Sequence, residues 1–422
     1  MRILILNQYF HPDTAATAQL LTELCEDLAT QHEVHVVTGR PSYNPSERTA
    51  SRGMISRESH AGVRVSRVWS TAFDRSSMAG RLVNYGTYLG CSLVGALSVA
   101  RPDVVIALTD PPPVGVIGLV VARIRGVPFV LVTQDIFPDV AIQLGRLTNS
   151  NLAAAIRLMS DRLFRSARTV ISIGRDMERR LIELGVPPHK IVTIQGWADP
   201  SVVRPLTEPS RFRRDWGLEG RFVVMHSGNV GLSQGLDTLI NAAELLLAES
   251  DVVFLVVGEG ASRADLQREA ARRGLHNVLF MSHQPKALLS QSLGAADVHL
   301  VSLRRGLAGY IVPSKVYGIL AAGKPFIAAV EDGSEPALLI EEWACGLRVE
   351  PGDPRALADA VLQMRQAPLE EMGMRARSAA EERYNRHRAT SAYLRVLEEL
   401  TGGPSGRAES APGVELPPTH HR

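Results

Sequence analysis

Residues 222–257 read FVVMHSGNVGLSQGLDTLINAAELLLAESDVVFLVV, which is an apolar run, a glycine-rich turn, a helical stretch and a second apolar run. The two apolar runs, 222–225 and 252–257, are short and rich in valine, as the buried strands of parallel sheets are. The leucine-rich stretch 236–247 between them has the length and spacing of a helix. A strand, a helix and a strand in this order predict a parallel sheet covered by helices.

The same alternation runs through the rest of the chain and divides it into two sets of strands. The first set is predicted at 3–6, 33–38, 63–68, 104–108, 129–133 and 169–172. The second set is predicted at 222–225, 252–257, 277–281, 298–301 and 325–329. Helical patterns fall between the strands or after the last one, for example at 18–30, 354–364 and 369–400. We therefore predict an α/β protein with two Rossmann-like, doubly wound parallel-sheet domains.

The length of 422 residues is too great for one ordinary core and suits two domains of about 200 residues. The break falls near residues 197–208. The stretch 197–209, WADPSVVRPLTEP, has three prolines and no hydrophobic periodicity. We predict an N-terminal domain over residues 1–200, a C-terminal domain over 201–385 and a closing helix over 386–401. Residues 402–422 are rich in proline, glycine and serine, which predicts a disordered tail.

Composition and charge argue against several classes of protein. The net charge of +2, from 46 basic and 44 acidic residues, gives no overall attraction to nucleic acid. Cys25, Cys91 and Cys345 are far apart and odd in number, so we expect neither a disulfide framework nor a zinc site, and a cytoplasmic location fits best. The uncharged stretch 82–100 is polar for a membrane span. We interpret it as a buried helix of the domain, with membrane contact as the alternative.

Loops after strands are the places to look for a ligand, because ligands of open parallel sheets bind at the carboxyl ends of the strands. Three loops of the C-terminal half fit this position, namely 226–235, 257–260 and 281–285. Glycines in such loops let backbone N–H groups approach a diphosphate, and the positive end of a following helix favours the anion. Each signal is weak by itself, since a glycine-rich turn is often only a tight turn.

A fourth loop, residues 304–325 with the sequence RRGLAGYIVPSKVYGILAAGKP, is the most informative. It runs into Pro313, Ser314 and Lys315 at a predicted helix start, where proline fits the first turn and serine can cap. The ammonium of Lys315 would then lie beside free helix N–H groups, which is an anion site. The alternative is a capped helix with a solvated lysine.

These segments, in this order, resemble glycosyltransferase family 4, and the resemblance extends to about residue 400. It rests on SGNVGLSQGLDTLINAAELL, the VGEG turn, LGAADVHLVSL and PSKVYGILAAGKPFIAAVEDGSEPALLIEEWACGLRVEPGDPRALADAV. The segments NQYFHPDTAATAQLLTELCEDLATQHEVHVVTGRPSYN and VTQDIFPDVAIQLG further resemble a subgroup of bacterial polysaccharide enzymes that includes transferases of N-acetylfucosamine-type sugars. The resemblance implies an active enzyme of the GT-B fold, in which two Rossmann-like domains face a central cleft.

The loops and the resemblance together give the candidate site residues. The donor-binding candidates are Gly228, Asn229, Val230, Gln234, Gly258, Glu259, Gly260, His283, Gly309, Tyr310, Pro313, Ser314 and Lys315. The catalytic candidates are Gln134, Asp135 and Lys315, and the acceptor-side candidates are Asp13, Thr14 and Ala15.

The sequence lacks four charged residues of the family, at Asn229, Gln234, Tyr310 and Gly318. At the first two positions many members carry an arginine and a lysine that bind the diphosphate. The last two replace a pair of glutamates, the second of which normally holds the nucleotide ribose. Lys315, with Arg304 or Arg305, would have to supply the missing positive charge. The histidine that the family commonly places near the reacting sugar is Gln134 here.

The implied reaction is the retaining transfer of a hexose, N-acetylated or deoxy, from a UDP-sugar to an acceptor hydroxyl, by front-face attack without a protein nucleophile. No cofactor is implied. No metal is expected either, because the sequence has no D-x-D cluster in a suitable context and Asp297 is solitary.

The implied partners are the nucleotide-sugar donor and a polyprenyl-diphosphate-linked acceptor, with no nucleic acid. Residues 146–168 contain five arginines and one acid, Asp161. Such a basic amphipathic helix can lie on an anionic bilayer, at the inner face of the cytoplasmic membrane, or can simply cover the sheet.

Two other functions remain open at this stage. A UDP-sugar 2-epimerase of similar architecture would need acid and base groups around the donor. A catalytically silent scaffold that binds nucleotide sugars is suggested by Tyr310 and Gly318 in place of the glutamates. A NAD dehydrogenase is disfavoured, because no G-x-G-x-x-G follows the first predicted strand.

Overall fold

The fold is that of a computed structural model of the chain. The described residues are 1–41, 53–73, 78–208 and 210–402, and the side chains of residues 78, 79, 81 and 82 are left aside. The predicted tail, residues 402–422, lies outside the described residues except for Gly402.

The described chain forms two sheets. The strands of the first are β1 (Arg2–Leu6), β2 (Glu33–Gly39), β3 (Ile55–His60), β4 (Val63–Val68), β5 (Val104–Leu108), β6 (Phe129–Thr133), β7 (Thr169–Ser172) and β8 (Ile191–Thr193). The strands of the second are β9 (Phe222–Ser227), β10 (Val252–Val257), β11 (Val278–Met281), β12 (Val298–Ser302), β13 (Phe326–Ala329) and β14 (Gly346–Val349).

The first sheet has the order β3-β4-β2-β1-β5-β6-β7-β8 and the second has the order β11-β10-β9-β12-β13-β14. Every pairing is parallel except that of β3 with β4, which is antiparallel. The predicted fold, two doubly wound parallel-sheet units, is confirmed. We call the part with the first sheet the N-terminal unit and the part with the second sheet the C-terminal unit.

Helices connect the strands and cover the sheets. They are α1 (Ala16–Ala29), α2 (Met78–Leu97), α3 (Val114–Arg125), α4 (Asp139–Gln143), α5 (Ser150–Ser166), α6 (Arg175–Glu183), α7 (Arg211–Asp215), α8 (Asp237–Leu245), α9 (Arg263–Arg272), α10 (Leu289–Gly294), α11 (Lys315–Ala321), α12 (Glu335–Trp343), α13 (Pro354–Arg365), α14 (Leu369–Glu382) and α15 (Arg386–Thr401).

Both faces of the first sheet are buried, which explains why its central strands are almost wholly apolar. Successive side chains of a strand point to opposite faces. Ile3 and Ile5 of β1 accordingly pack in one core with α1 and α15, whereas Leu4 and Leu6 pack in another with α2 and α3. The last helix of the described chain therefore covers the first sheet.

Three strands were missed by the sequence analysis, namely β3, β8 and β14. They are short or polar and lie at the edges of the sheets, where a strand needs little apolar surface of its own. The helical pattern predicted over 369–400 holds two helices, α14 and α15, and α15 begins where the closing helix was predicted, at residue 386. The chain turns between them at Asn385, whose side chain caps α15 by accepting a hydrogen bond from the Arg388 N–H at 2.9 Å.

Among the described residues, no helix is long and apolar enough to cross a membrane. The stretch 82–100, considered above as a span, lies mostly in α2, which packs against α3 and the strands β2 and β4.

Candidate active site

A cleft of about 820 Å³ lies between the carboxyl ends of the two sheets. Residues from distant parts of the sequence meet there. The predicted site residues that line it are Thr14, Ala15, Gln134, Asp135, Gly228, Asn229, Gln234, Glu259, His283, Pro313, Ser314 and Lys315. Gly318, at the position of the family's ribose-binding glutamate, also lines the cleft.

The other predicted site residues lie outside the cleft lining, and these are Asp13, Val230, Gly258, Gly260, Gly309 and Tyr310. Asp13 and Val230 are buried. The ring of Tyr310 lies under the guanidinium of Arg180, 4.6 Å from its centre, and therefore faces the N-terminal unit.

The turn 257–260 packs closely against the glycine-rich turn 226–235. A Cβ on Gly258 would lie 1.9 Å from the carbonyl oxygen of Gly228, and a Cβ on Gly260 would lie 2.3 Å from that of Val230. Both glycines also have positive φ, 142° and 158°. In the structure these two glycines therefore let the two turns pack against each other. The first turn lines the cleft with several residues, and of the second turn only Glu259 lines it.

The two polar residues that replace family cations bring no charge to the glycine-rich turn. The side chain of Gln234 folds back on its own loop, where its Oε1 accepts a hydrogen bond from the Gly231 N–H at 3.0 Å. Asn229 is exposed at the edge of the cleft. A positive charge for a diphosphate must then come from another side chain.

Lys315 is in position to supply that charge. Its side chain passes beside Gly228, where a Cβ would come within 3.6 Å of Nζ. Nζ also lies 2.9 Å from Nε2 of His226, which is buried at the end of β9. Burial lowers the pKa of Lys315 to about 7. Burial and the neighbouring lysine together hold the pKa of His226 well below its usual value, so the histidine is neutral.

The predicted cap of this helix was wrong. Ser314 stands at the N-cap of α11, but its side chain makes no capping hydrogen bond. The helix has only seven residues, so the charge of Lys315 is a stronger argument for an anion than the helix end is.

Gln134 and Asp135 follow β6 directly and face the cleft from the N-terminal unit. Their backbone is held by Thr109, whose hydroxyl oxygen accepts hydrogen bonds from the N–H of Gln134 at 2.9 Å and of Asp135 at 3.4 Å. The Asp135 side chain opens into the cleft, but protein surrounds it on the other sides. This partial desolvation raises the pKa of its carboxyl to about 6.

Asp110 is a cleft residue that the sequence analysis missed. Burial and the nearby charge of Asp135 raise the pKa of Asp110 to about 7. Its signal was available, because Asp110 follows β5 as Asp135 follows β6, and the ends of neighbouring parallel strands lie side by side.

The loop between β12 and α11 touches the N-terminal unit on its way to Lys315. The Ile136 N–H donates to the Tyr310 carbonyl at 3.0 Å, and Asp135 and Ile311 form an isolated antiparallel bridge. In the described part of the chain, no group of three or more His, Cys, Asp or Glu residues is placed to hold a metal ion.

Comparison with known protein families gives two adjacent matches. The family described as "Glycosyl transferase 4-like domain" matches residues 16–197, and "Glycosyl transferases group 1" matches residues 221–366. The chain is 30% identical over 302 residues to WbjE of Pseudomonas aeruginosa, named a probable glycosyltransferase, covering 71% of this chain and 75% of WbjE. It is 28% identical over 380 residues to WcaI of Escherichia coli (strain K12), which is named a putative colanic acid biosynthesis glycosyl transferase. This match covers 86% of this chain and 92% of WcaI.

Among solved structures, Anabaena HepE in complex with UDP and glucose is similar in fold, with a TM-score of 0.73. The match covers 95% of this chain and 100% of HepE at 18% identity.

Proposed function

This chain belongs to glycosyltransferase family 4 and is related to bacterial enzymes of polysaccharide biosynthesis, and on that premise we propose that it transfers a hexose from a UDP-sugar to an acceptor hydroxyl. We propose a UDP-sugar because UDP and glucose are bound by HepE, which is similar in fold. The hexose is N-acetylated or deoxy in our proposal, after the polysaccharide subgroup that the sequence resembles.

The observation that carries the proposal is Lys315 beside the glycine-rich turn. Among the described residues that line the cleft, the lysines are Lys286 and Lys315. Lys286 is already ion-paired with Glu23, with Nζ 2.8 Å from Oε1. Lys315 has only a neutral histidine beside it, so its ammonium is available to a diphosphate whose backbone contacts come from residues 228–234.

We propose that the transfer retains the anomeric configuration, as the family resemblance implies. The bond between the sugar C1 and the diphosphate oxygen breaks while the acceptor oxygen forms its bond to C1 on the same face. The acceptor proton passes to the leaving diphosphate. Lys315 and the loop N–H groups stabilise the negative charge that builds on the diphosphate, and Gln134 and Asp135 orient the acceptor hydroxyl.

We propose that the acceptor is a lipid-linked saccharide at the inner face of the cytoplasmic membrane. The helix α5 supports a membrane contact, because it exposes Leu152 and Leu158 and also exposes Arg162 and Arg165.

A UDP-sugar 2-epimerase is the second candidate, and the Asp110 and Asp135 pair favours it. Two carboxyls with pKa values of about 7 and about 6 are suited to exchange protons near neutral pH. Incubation with UDP-N-acetylglucosamine alone separates the candidates, since only the epimerase forms a new UDP-sugar without an acceptor.

A thermal-shift panel of UDP- and GDP-sugars tests the proposal, because a ligand that binds only the folded state raises the melting temperature. We expect UDP and at least one UDP-sugar to raise it, and Lys315→Ala to remove most of that rise and the turnover. Wild-type shifts and turnover in Lys315→Ala would refute the placement of the diphosphate. A protein that binds UDP-sugars but never releases UDP from them would be the silent scaffold.

The low pKa of Lys315 makes UDP binding depend on pH. The free lysine loses its proton above about pH 7, whereas the bound diphosphate requires it. Affinity for UDP should therefore fall by up to ~10-fold per pH unit between pH 7 and 9. Lys315→Arg keeps its charge and should flatten this dependence. Titration calorimetry of UDP against both proteins measures it, and equal slopes would argue against a charged contact from Lys315.

A further inference from the structure

The helix α6 begins at the boundary between the two units, and its first turn holds a buried carboxylate. Asp176 is 5% exposed. Its Oδ2 accepts hydrogen bonds from the Gly309 N–H at 3.2 Å and from the Glu335 N–H at 3.1 Å. Gly309 lies in the loop before α11 and Glu335 is the first residue of α12, both in the C-terminal unit. One side chain of the N-terminal unit therefore joins two segments of the other unit.

The two units approach closely at this point because glycines leave room. Gly309 has φ of 77°, and a Cβ there would lie 2.8 Å from the backbone oxygen of Asp176. On the other side, a Cβ on Gly174 would lie 2.8 Å from a methyl carbon of Val312. Neither glycine position has space for a side chain, so the contact is packed as closely as the interior of a single unit.

Arg175 compensates the negative charge at this contact. Its backbone N–H lies 2.7 Å from Oε2 of Glu335, and its guanidinium lies 3.0 Å from Oε1. Glu335 is fully buried. The guanidinium also contacts Glu342 at 3.0 Å. Removing one member of such a buried set leaves a charge without a partner.

The contact fixes the loop that carries Lys315. From Gly309 the loop pairs with the backbone at Asp135 and Ile136 and lines the cleft from Ile311 onward. The hold of Asp176 on Gly309 therefore sets where the donor-side lysine stands relative to the acceptor-side aspartate.

We infer that Asp176 is a positioning residue, which holds the loop 303–314 against the N-terminal unit so that Lys315 and Asp135 line the same cleft from the two units. The inference rests on the proposed transfer reaction for its effect on rate, but not for its effect on the shape of the protein. Correct placement of reacting groups is worth a great deal, since an error of 1 Å can lower a rate by about 100-fold.

Asp176→Asn tests the inference, with Asp103→Asn as its matched control. Asp103 also accepts a backbone N–H, that of Arg2 at 2.6 Å, but at the opposite end of the sheet. In Asp176→Asn a single uncharged oxygen remains for the N–H groups of Met177, Gly309 and Glu335, so the hold on the loop weakens. The substrate is the UDP-sugar that gives wild type the largest thermal shift. We expect the kcat of Asp176→Asn to be lower than that of wild type by ~10-fold or more, while its KM stays within a few-fold of the wild-type KM. The control should leave both unchanged.

Small-angle scattering of the free and UDP-bound proteins gives a readout that needs no turnover. We expect a larger radius of gyration for Asp176→Asn than for wild type, and no change for Asp103→Asn. Gly309→Ala breaks the same contact from the C-terminal unit and should also lower kcat and enlarge the radius of gyration. It replaces Asp176→Asn as the test if that variant folds poorly. Wild-type kcat and wild-type scattering in either folded variant would overturn the inference. If wild type turns over no UDP-sugar, the proposed function fails while the scattering still decides the inference.

Discussion

Gly258 shows how a single residue shapes the donor side of the cleft. It has no side chain to offer a ligand, and its position outside the cleft lining means that it need not touch one. What it does is bring β10 and its turn against the turn that follows β9. Its own N–H donates to the Met281 carbonyl at 2.9 Å, so the turns after three neighbouring strands are tied together.

Gly258→Ala should therefore damage the donor site without adding anything to the cleft. The new Cβ would clash with the Gly228 carbonyl and would have an unfavourable φ. We expect a loss of ~3 kcal/mol in the free energy of unfolding and loss of the UDP-induced thermal shift. Gly90→Ala is the control, because its site on α2 is open, and it should stabilise the protein by ~0.5–1 kcal/mol. A full UDP shift in Gly258→Ala would contradict this account.

At the scale of elements, α5 has one buried apolar face and, apart from it, two exposed leucines. Leu163 and Phe164 are buried against the sheet, with Leu163 packed on Gly115 of α3. Leu152 and Leu158 are 44% and 51% exposed. The interpretation that α5 covers the sheet and the interpretation that it contacts a membrane are thus compatible, because different side chains serve each.

Membrane binding through α5 can be measured with vesicles. We expect the protein to sediment with vesicles of phosphatidylglycerol and much less with vesicles of phosphatidylcholine, because the exposed face carries arginines. The double variant Leu152→Ser, Leu158→Ser should bind these vesicles at least ~10-fold more weakly than wild type, because it loses two apolar anchors. Met374→Ser on α14 removes an equally exposed apolar side chain from the other unit and is the control. Equal binding of both variants would exclude α5 as the contact.

At the scale of the whole molecule, the described chain ends on the unit where it began. After α14 it returns to the first sheet, and α15 packs Tyr393, Val396 and Leu397 into the core formed with α1. Arg386 at the start of α15 contacts Asp27 of α1 at 2.7 Å and Glu26 at 3.1 Å. The last helix is therefore a structural part of the N-terminal unit.

Truncating a buried side chain of α15 should destabilise the N-terminal unit. Leu397 is fully buried, so Leu397→Ala should cost ~2–5 kcal/mol. Glu399→Ala, at an exposed position of the same helix, should cost much less. Urea unfolding followed by circular dichroism measures both. Similar losses in the two variants would show that α15 adds little to the first core.

Much of this architecture could be predicted because the signals are local. The buried strands β1, β5, β6 and β10 are continuous apolar runs, and each is followed by a helix or a turn with its own pattern. Their alternation was enough for two parallel sheets. The loop before α11 was enough to place Lys315 in the cleft, and the family resemblance placed Asp135 there. The polar edge strand β3 carried no such signal and was missed.

The sequence by itself determined most of the strands, the two-unit fold and most of the cleft, because apolar periodicity and glycine turns act within a few residues of the chain. Tertiary structure alone decided what the other residues do. Gly258 packs on Gly228, Asp110 lies beside Asp135, and Asp176 holds Gly309. These pairs are far apart in sequence, and a contact across the fold depends on how whole sheets pack, which no local pattern specifies.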